Sequence, residues 1–264
     1  MNRLALFAAL VTIPASAVIA QHAHHQASDP IAAAVAAPSR TPANIARDQY
    51  RHPAETLAFF GVTASGTVVE YSPSGGWYTE ILAPLLRDHG TFYALQPTGG
   101  YLASYRNFLA TKPEVYDKVK LVEYPDALAT IPASSVDTVL TFRNVHNMVM
   151  AGKEAATFKA FFDMLKPGGT LGVVDHRLPE ARDTALEKSS GYVKVSTVRR
   201  IAEAAGFEYV GASDVNANPK DTADWPKGVW TLPPSLSQKE VDRDKYLAIG
   251  ESDRMTLKFR KPVK

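Results

Sequence analysis

The sequence predicts an α/β fold, a doubly wound and largely parallel sheet with helices on both faces. Three observations predict it. Seven short β-rich runs alternate with helical patterns through the last three-quarters of the chain. The length of 264 residues, 45% of them hydrophobic, suits one good-sized domain with peripheral additions. The first β-rich run leads at once into a serine- and glycine-bearing turn and an apolar helix, "VVEYSPSGGWYTEIL".

Taken in order, the chain begins with Asn2 and Arg3, an apolar run from Leu4 to Ile13, and "PASAVIAQ", which offers cleavage points after Ala17 or Ala20. This order of charge, apolar run and small residues is that of a secretory signal peptide over residues 1–20. Pro14 interrupts the run well short of the roughly 20 residues that span a bilayer, so cleavage is expected rather than anchoring, and the mature chain is expected in the periplasm or secreted, without a membrane partner. Residues 21–42, rich in alanine and small polar residues, read as a linker with at most one short helix, and His22, His24 and His25 there as solvated side chains.

A single catalytic domain follows over 43–264. Asn44, Arg47, Tyr50 and Arg51 keep helical spacing, and a second helix is expected from Pro53 to Phe60. The strands are "TVVEY", "TFYAL", "VKLVEY", "SVDTVLTF", "GTLGVVDH", "FEYVGASDV" and "MTLKFRK". Helices are expected over Gly76–Arg87, where Pro84 implies a kink or a fresh start, over Tyr101–Ala110, and over Ser196–Ala205. Another, over Lys153–Leu165, should bury Ala155, Phe158, Phe161, Phe162 and Leu165 and end through Gly168 or Gly169. The stretch 216–254 is too long for a plain connection and is expected to be a lid.

Composition narrows the function. Lysine plus arginine (29) nearly balance aspartate plus glutamate (27) and form no basic run, so nucleic acid is not an expected partner. The absence of cysteine excludes thiol nucleophiles, disulfides and zinc-thiolate sites. A small molecule remains the expected partner; nothing in the sequence specifies an oligomer.

In an open α/β sheet the ligand sits beyond the carboxyl ends of the strands, where strand order reverses. After the first strand come Glu70, Ser72, Ser74, Gly75 and Gly76, a tight turn able to approach a ligand closely. "FRNVHNM" places Arg143, Asn144, His146 and Asn147 after the fourth strand, and "VVDHRL" places Asp175, His176 and Arg177 after the fifth. Together they can supply a general base, a group that orients it and cations for a developing oxyanion. The same residues also read as a buried polar network with Arg143 or Arg177 paired to Asp175. No spacing specifies a metal, and none is expected. Tyr71, Trp77, Tyr78, Tyr192, Trp225 and Trp230 can wall a site for a flat organic molecule or pack as core.

With "FRNVHN", "LKPGGTLGVVDHR", "GYVKVSTVRRIAEAAGF" and "NANPKDTADWPKGVWTLPP" added to the first turn, the sequence resembles an exported family of predicted class I S-adenosylmethionine-dependent methyltransferases, from about Ala43 to Pro262. The resemblance implies a Rossmann-like, seven-stranded sheet with a final antiparallel hairpin. It also implies cofactor contacts from Glu70, the turn at Ser72, Ser74 and Gly76, and the position of Gln96. Two of three turn glycines of class I enzymes are serine here, and Gln96 stands where an acidic residue usually holds the cofactor ribose. Gln lacks the charge-assisted bond of a carboxylate. With export, these departures favour acid/base chemistry of the elimination or lyase type without S-adenosylmethionine, the cofactor expected if methyl transfer is retained. A non-catalytic small-molecule-binding module is the third reading.

Overall fold

A computed structural model describes residues 29–263. The expected signal peptide and His22, His24 and His25 lie outside the described residues. No helix among those described is long and apolar enough to cross a membrane.

The strands are β1 (Thr67–Tyr71), β2 (Thr91–Pro97), β3 (Lys120–Tyr124), β4 (Val136–Phe142), β5 (Leu165–His176), β6 (Glu208–Ser213), a short β7 (Pro226–Val229) and β8 (Arg254–Arg260). Seven of them form one sheet in the order β3-β2-β1-β4-β5-β8-β6, parallel from β3 to β5, with β8 antiparallel to both β5 and β6. The chain leaves β1 in one direction and returns beside it as β4, so the crevice expected at a reversal of strand order opens beyond Tyr71 and Phe142.

Strand side chains alternate between the two faces of the sheet and divide the core. Val68, Leu140 and Val174 belong to one apolar cluster, and their neighbours Val69, Val139 and Val173 to the other. The first face is covered by α1 (Pro30–Val35), α4 (Pro53–Phe60), α5 (Thr79–Leu86), α6 (Gly100–Ala110) and α7 (Pro113–Tyr116). Short α2 (Pro42–Ile45) and α3 (Asp48–Arg51) lead into α4. The second face carries α8 (Val145–Ala151), α9 (Glu154–Met164) and α10 (Val195–Ala204), while α11 (Arg243–Ile249) lies in the long segment before β8.

Several expectations are corrected. From Pro30 onward the expected linker is part of the fold: Ile31 and Ala34 join the core, Arg40 pairs with Asp48, and the Thr41 amide donates to Glu80 Oε2 at 3.0 Å. Helix α5 starts at Thr79 and runs through Pro84 without a fresh start. The segment 76–78 forms the end of the turn instead. Helix α9 buries Phe158 and Phe161 as expected but leaves Phe162 half-buried and Ala155 exposed, and the buried Leu165 already belongs to β5. The helix ends because Leu165 turns extended to enter β5, and Gly168, at φ 81°, serves the irregular start of that strand.

Candidate active site

Beyond the ends of β1 and β4 lies a cavity of about 640 Å³. Glu70, Ser72 and Ser74 line one side; Arg143, His146, Asn147 and His176 line the other, so both groups of candidates face one space. Trp230 and Pro233 to Ser235, from the long segment before β8, close it as a wall.

The turn after β1 keeps a glycine-like backbone without the glycines. Ser72 (φ 55°), Ser74 (φ 52°) and Gly76 (φ 77°) are all left-handed, a conformation costing a side-chain-bearing residue about 1–2 kcal/mol. Asn144 Nδ2 donates to the carbonyls of Tyr71 (3.1 Å) and Phe142 (3.1 Å), binding the turn to the end of β4. Gly76 does not face the cavity: a Cβ there would stand 2.4 Å from the Phe108 ring, so its lack of a side chain serves core packing.

Gln96 also turns away from the expected role. Its Oε1 accepts from the Ser74 amide at 3.2 Å and so braces the turn, and its Nε2 donates to the Pro97 carbonyl at the end of its own strand at 3.3 Å, so both ends of the amide are engaged. Glu70 accepts from Thr79 Oγ1 at 3.1 Å, and that hydroxyl lies 2.9 Å from the Tyr105 hydroxyl. Burial raises the Glu70 carboxyl to about 8, so it is largely neutral at neutral pH. The residues here therefore do not fit a charged carboxylate hold on a ribose diol.

Across the cavity, His146 Nδ1 lies 2.8 Å from Asp175 Oδ1. Asp175 is fully buried at the end of β5, and its oxygens also take the His146 amide at 3.0 Å and the His176 amide at 2.7 Å. Because the carboxylate holds Nδ1–H, the other ring nitrogen, Nε2, is the basic one, and it has no partner among the described residues. His176 packs beside it, ring centroids 5.1 Å apart, with Nδ1 2.5 Å from Ser252 Oγ. Burial, then the neighbouring His146 and arginines, push His176 well below the usual imidazole range and keep it neutral.

His146, Asp175 and His176 offer ligand atoms within 4.8 Å of one another, a spacing a metal ion would accept. Asp175, however, is already committed to three donors, and the cations of Arg51, Arg143 and Arg254 lie close enough to His176 to lower its pKa. Both facts oppose a metal.

Arg177 is not part of the constellation. Its Nε and Nη2 each donate to Asp253 at 2.8 Å, outside the cavity, so the expected oxyanion cation is a structural ion pair. Asn147 is exposed at the rim. Among the aromatic candidates Tyr71, Trp77, Tyr78 and Trp230 line the cavity. Tyr192 instead meets the His176 ring edge-to-face and bonds Asp221, which also takes Trp225 Nε1 at 2.7 Å. Sequence reasoning did not assign Arg51, Ser252 or Arg254 to the site. Arg51 and Arg254 reach it from helix α3 and strand β8, far apart in sequence, so spacing gave no signal for them.

No family model and no curated protein matches the sequence. Solved structures match the fold. A methyltransferase from Aquifex aeolicus dependent on S-adenosylmethionine superposes with a TM-score of 0.56 at 15% identity, covering 82% of this chain and 93% of that one. The 4+2 cyclase SpnF superposes with a TM-score of 0.53 at 16% identity, covering 81% and 82%. The chain therefore has the Rossmann-like fold of class I methyltransferases, a scaffold that also carries a cyclase.

Proposed function

We propose that the chain is an enzyme that performs acid/base chemistry of the lyase or elimination type on a small, flat organic molecule, without S-adenosylmethionine. The observation that carries this reading is the buried Asp175–His146 pair with a free imidazole nitrogen on the cavity side. His146 Nε2 takes a proton from a carbon or hydroxyl of the substrate. The electron pair released forms the new double bond as a leaving group departs, and the imidazolium returns the proton to that group. Asp175 holds the tautomer and stabilises the imidazolium. Tyr78 and Phe142, stacked with centroids 3.6 Å apart, and Trp230 give the cavity flat apolar walls. The commitment of Gln96 and the neutral Glu70 support chemistry without the cofactor.

One observation favours methyl transfer instead. The left-handed φ angles at Ser72, Ser74 and Gly76 keep the turn in the backbone geometry that glycines would give, at a cost that selection has tolerated. Calorimetric titration of the purified protein with S-adenosylmethionine separates the readings: saturable binding in the micromolar range would replace ours with methyl transfer. Screening phenolic and other aromatic compounds in cofactor-free buffer tests the reading directly. Turnover is expected and is expected to vanish in His146→Ala; undiminished turnover in that variant would overturn the assignment.

Export remains part of the proposal, on the order of charge, apolar run and small residues over 1–20. N-terminal sequencing of the mature chain is expected to begin after Ala17 or Ala20; a start at Met1 would refute it.

A further inference from the structure

Where the cavity meets the sheet, it lies beside a side chamber of about 20 Å³ that shares Arg51, Tyr78, Phe142 and Arg143 with it and adds Val174, Asn216 and Arg254. Its positive charge is not balanced. Glu251 receives Arg47 Nε at 2.5 Å, Arg51 Nε at 3.2 Å and Arg254 Nη2, so one carboxylate serves three guanidinium groups. Arg143 has no hydrogen-bonding or ion-pairing side-chain partner among the described residues, although burial and its arginine neighbours lower it to about 10. Its backbone is left-handed at φ 61°, a strained setting that directs it at the end of β4.

The neighbouring side chains repeat the imbalance. Arg51 is 6% exposed and Arg254 2%. Even so, Arg51 Nη2 and Arg254 Nε are buried with no hydrogen-bond partner among the described residues. Asn216 Oδ1, on the same chamber, is also left without a partner among these residues, and buried polar groups without partners cost about 1–3 kcal/mol each, more when charged. Three guanidinium groups share Glu251, and a fourth, Arg143, has Asp175 and Glu251 nearby but bonds neither, so the chamber joining Arg143 to the active cavity carries a cation free to take an anion.

We propose that the substrate is a carboxylate, anchored by Arg143 and Arg51 in this chamber with its reactive end toward His146. This deepens the acid/base reading and rests on it. Guanidinium groups recognise a carboxylate through paired N–H donors. A chamber of about 20 Å³ admits one or two oxygen-sized atoms, since one water needs roughly 10–15 Å³ on this scale, which suits a carboxylate edge better than the four oxygens of a phosphate. Arg143 thus holds charge already present in the ground state, rather than charge that develops during the reaction.

The test uses the full mature chain and the fluorescence of Trp77 and Trp230, which line the cavity. Benzoate, phenylacetate and para-hydroxybenzoate are titrated beside their carboxamides, which match them in shape but carry no charge. At least one carboxylate is expected to bind ~10-fold more tightly than its amide, a difference of ~1.4 kcal/mol. Arg143→Met and Arg51→Met are each expected to abolish that preference while amide affinity stays within ~2-fold. The inference fails if no carboxylate binds saturably, if amides bind as well, or if the preference survives both variants. Arg143→Lys controls for folding: as a point charge it should restore part of the preference, and a variant that unfolds would lose amide binding too.

The carboxylate of S-adenosylmethionine is the other possible source of an anion, so S-adenosylmethionine is titrated beside methylthioadenosine, which lacks it. A loss of affinity in Arg143→Met confined to S-adenosylmethionine would assign the site to the cofactor and overturn the proposal. His146→Gln separates the two readings: it should keep the carboxylate preference, and a wild-type chain that binds carboxylates but turns none over would remove the acid/base reading while leaving this one standing.

Discussion

His146 and Asp175 are joined twice, through the imidazole Nδ1 at 2.8 Å from one carboxylate oxygen and through the backbone amide at 3.0 Å from the other. The first bond sets which ring nitrogen is basic, and the second fixes the start of α8 on which the ring stands. Asp175→Asn is expected to keep the fold while losing the acceptor for Nδ1–H. Turnover should fall ~10²–10⁴-fold, and adding His146→Gln should cost little more, because residues that act as a unit are not additive. Nitrogen NMR of the imidazole checks the cause: Nδ1–H should dominate in the wild type and lose that dominance in Asp175→Asn. An unchanged tautomer would break the assignment.

Glu70 makes stability fall with rising pH over the neutral range. Its carboxyl rises from 4.5 to about 8 through burial, against the Thr79 hydroxyl that favours the charged form. Between those values the folded chain holds a proton that the unfolded chain has released, so stability declines by up to about 1.4 kcal/mol per pH unit. Glu251 acts in a separate window: its arginines lower it from 4.5 to about 2, so its contribution is lost as pH falls through that lower range. Glu70→Gln keeps an acceptor for Thr79. Urea unfolding of this variant should show a flatter decline between about pH 5 and about pH 8 than the wild type, with the acid limb unchanged. Equal slopes above pH ~5 would show that Glu70 is ionised in the folded chain.

Left-handed positions in one turn give opposite responses to substitution. At Ser72 the side chain strains the backbone, so Ser72→Gly should raise the unfolding free energy by about 0.5–1 kcal/mol, the relief being partly offset by glycine's greater freedom when unfolded. At Gly76 a methyl group would meet the Phe108 ring at 2.4 Å as well as the backbone strain, and Gly76→Ala should lower stability by about 2–3 kcal/mol. Pairing Gly76→Ala with Phe108→Leu should recover part of the loss. No recovery would place the cost in the backbone alone.

Much of the sheet was legible because its strands are continuous apolar runs. Val68 and Val69, or Val173 and Val174, face opposite ways into two cores, and a run that must satisfy both faces has few readings other than a buried parallel strand. The gathering of His146, Asp175 and His176 followed from strand-end position alone. The arginine cluster was not legible, because Arg51, Arg143 and Arg254 meet only through tertiary packing of α3, β4 and β8. Arg177 misled for the same reason: strand alternation would keep it on the side of Asp175, but Asp253, far along the chain, packs beside it and holds it outside the cavity. The packing of residues 30–42 was hidden by their alanine-rich composition, in which two apolar contacts, Ile31 and Ala34, decide the matter.

The wall bearing Trp230 depends on one buried carboxylate. Asp221 accepts the Tyr192 hydroxyl at 3.0 Å, Trp225 Nε1 at 2.7 Å, the Ala223 amide at 3.0 Å and the Asp253 amide at 2.8 Å. Those bonds tie the segment before β8 to the strand ends. Asp221→Asn replaces one acceptor oxygen by a donor that faces other donors, so several bonds weaken together, at an expected cost of about 3 kcal/mol. Tyr192→Phe removes one donor and leaves the rest, and should cost about 1.5 kcal/mol. Both are read from urea midpoints, with acrylamide quenching of tryptophan as the local probe. Quenching should rise in Asp221→Asn at urea concentrations where the sheet remains folded, because the wall loosens before the core. If Asp221→Asn changes neither the midpoint nor the quenching, the wall is held by its apolar contacts, Leu232 and Val229 among them, and not by this carboxylate.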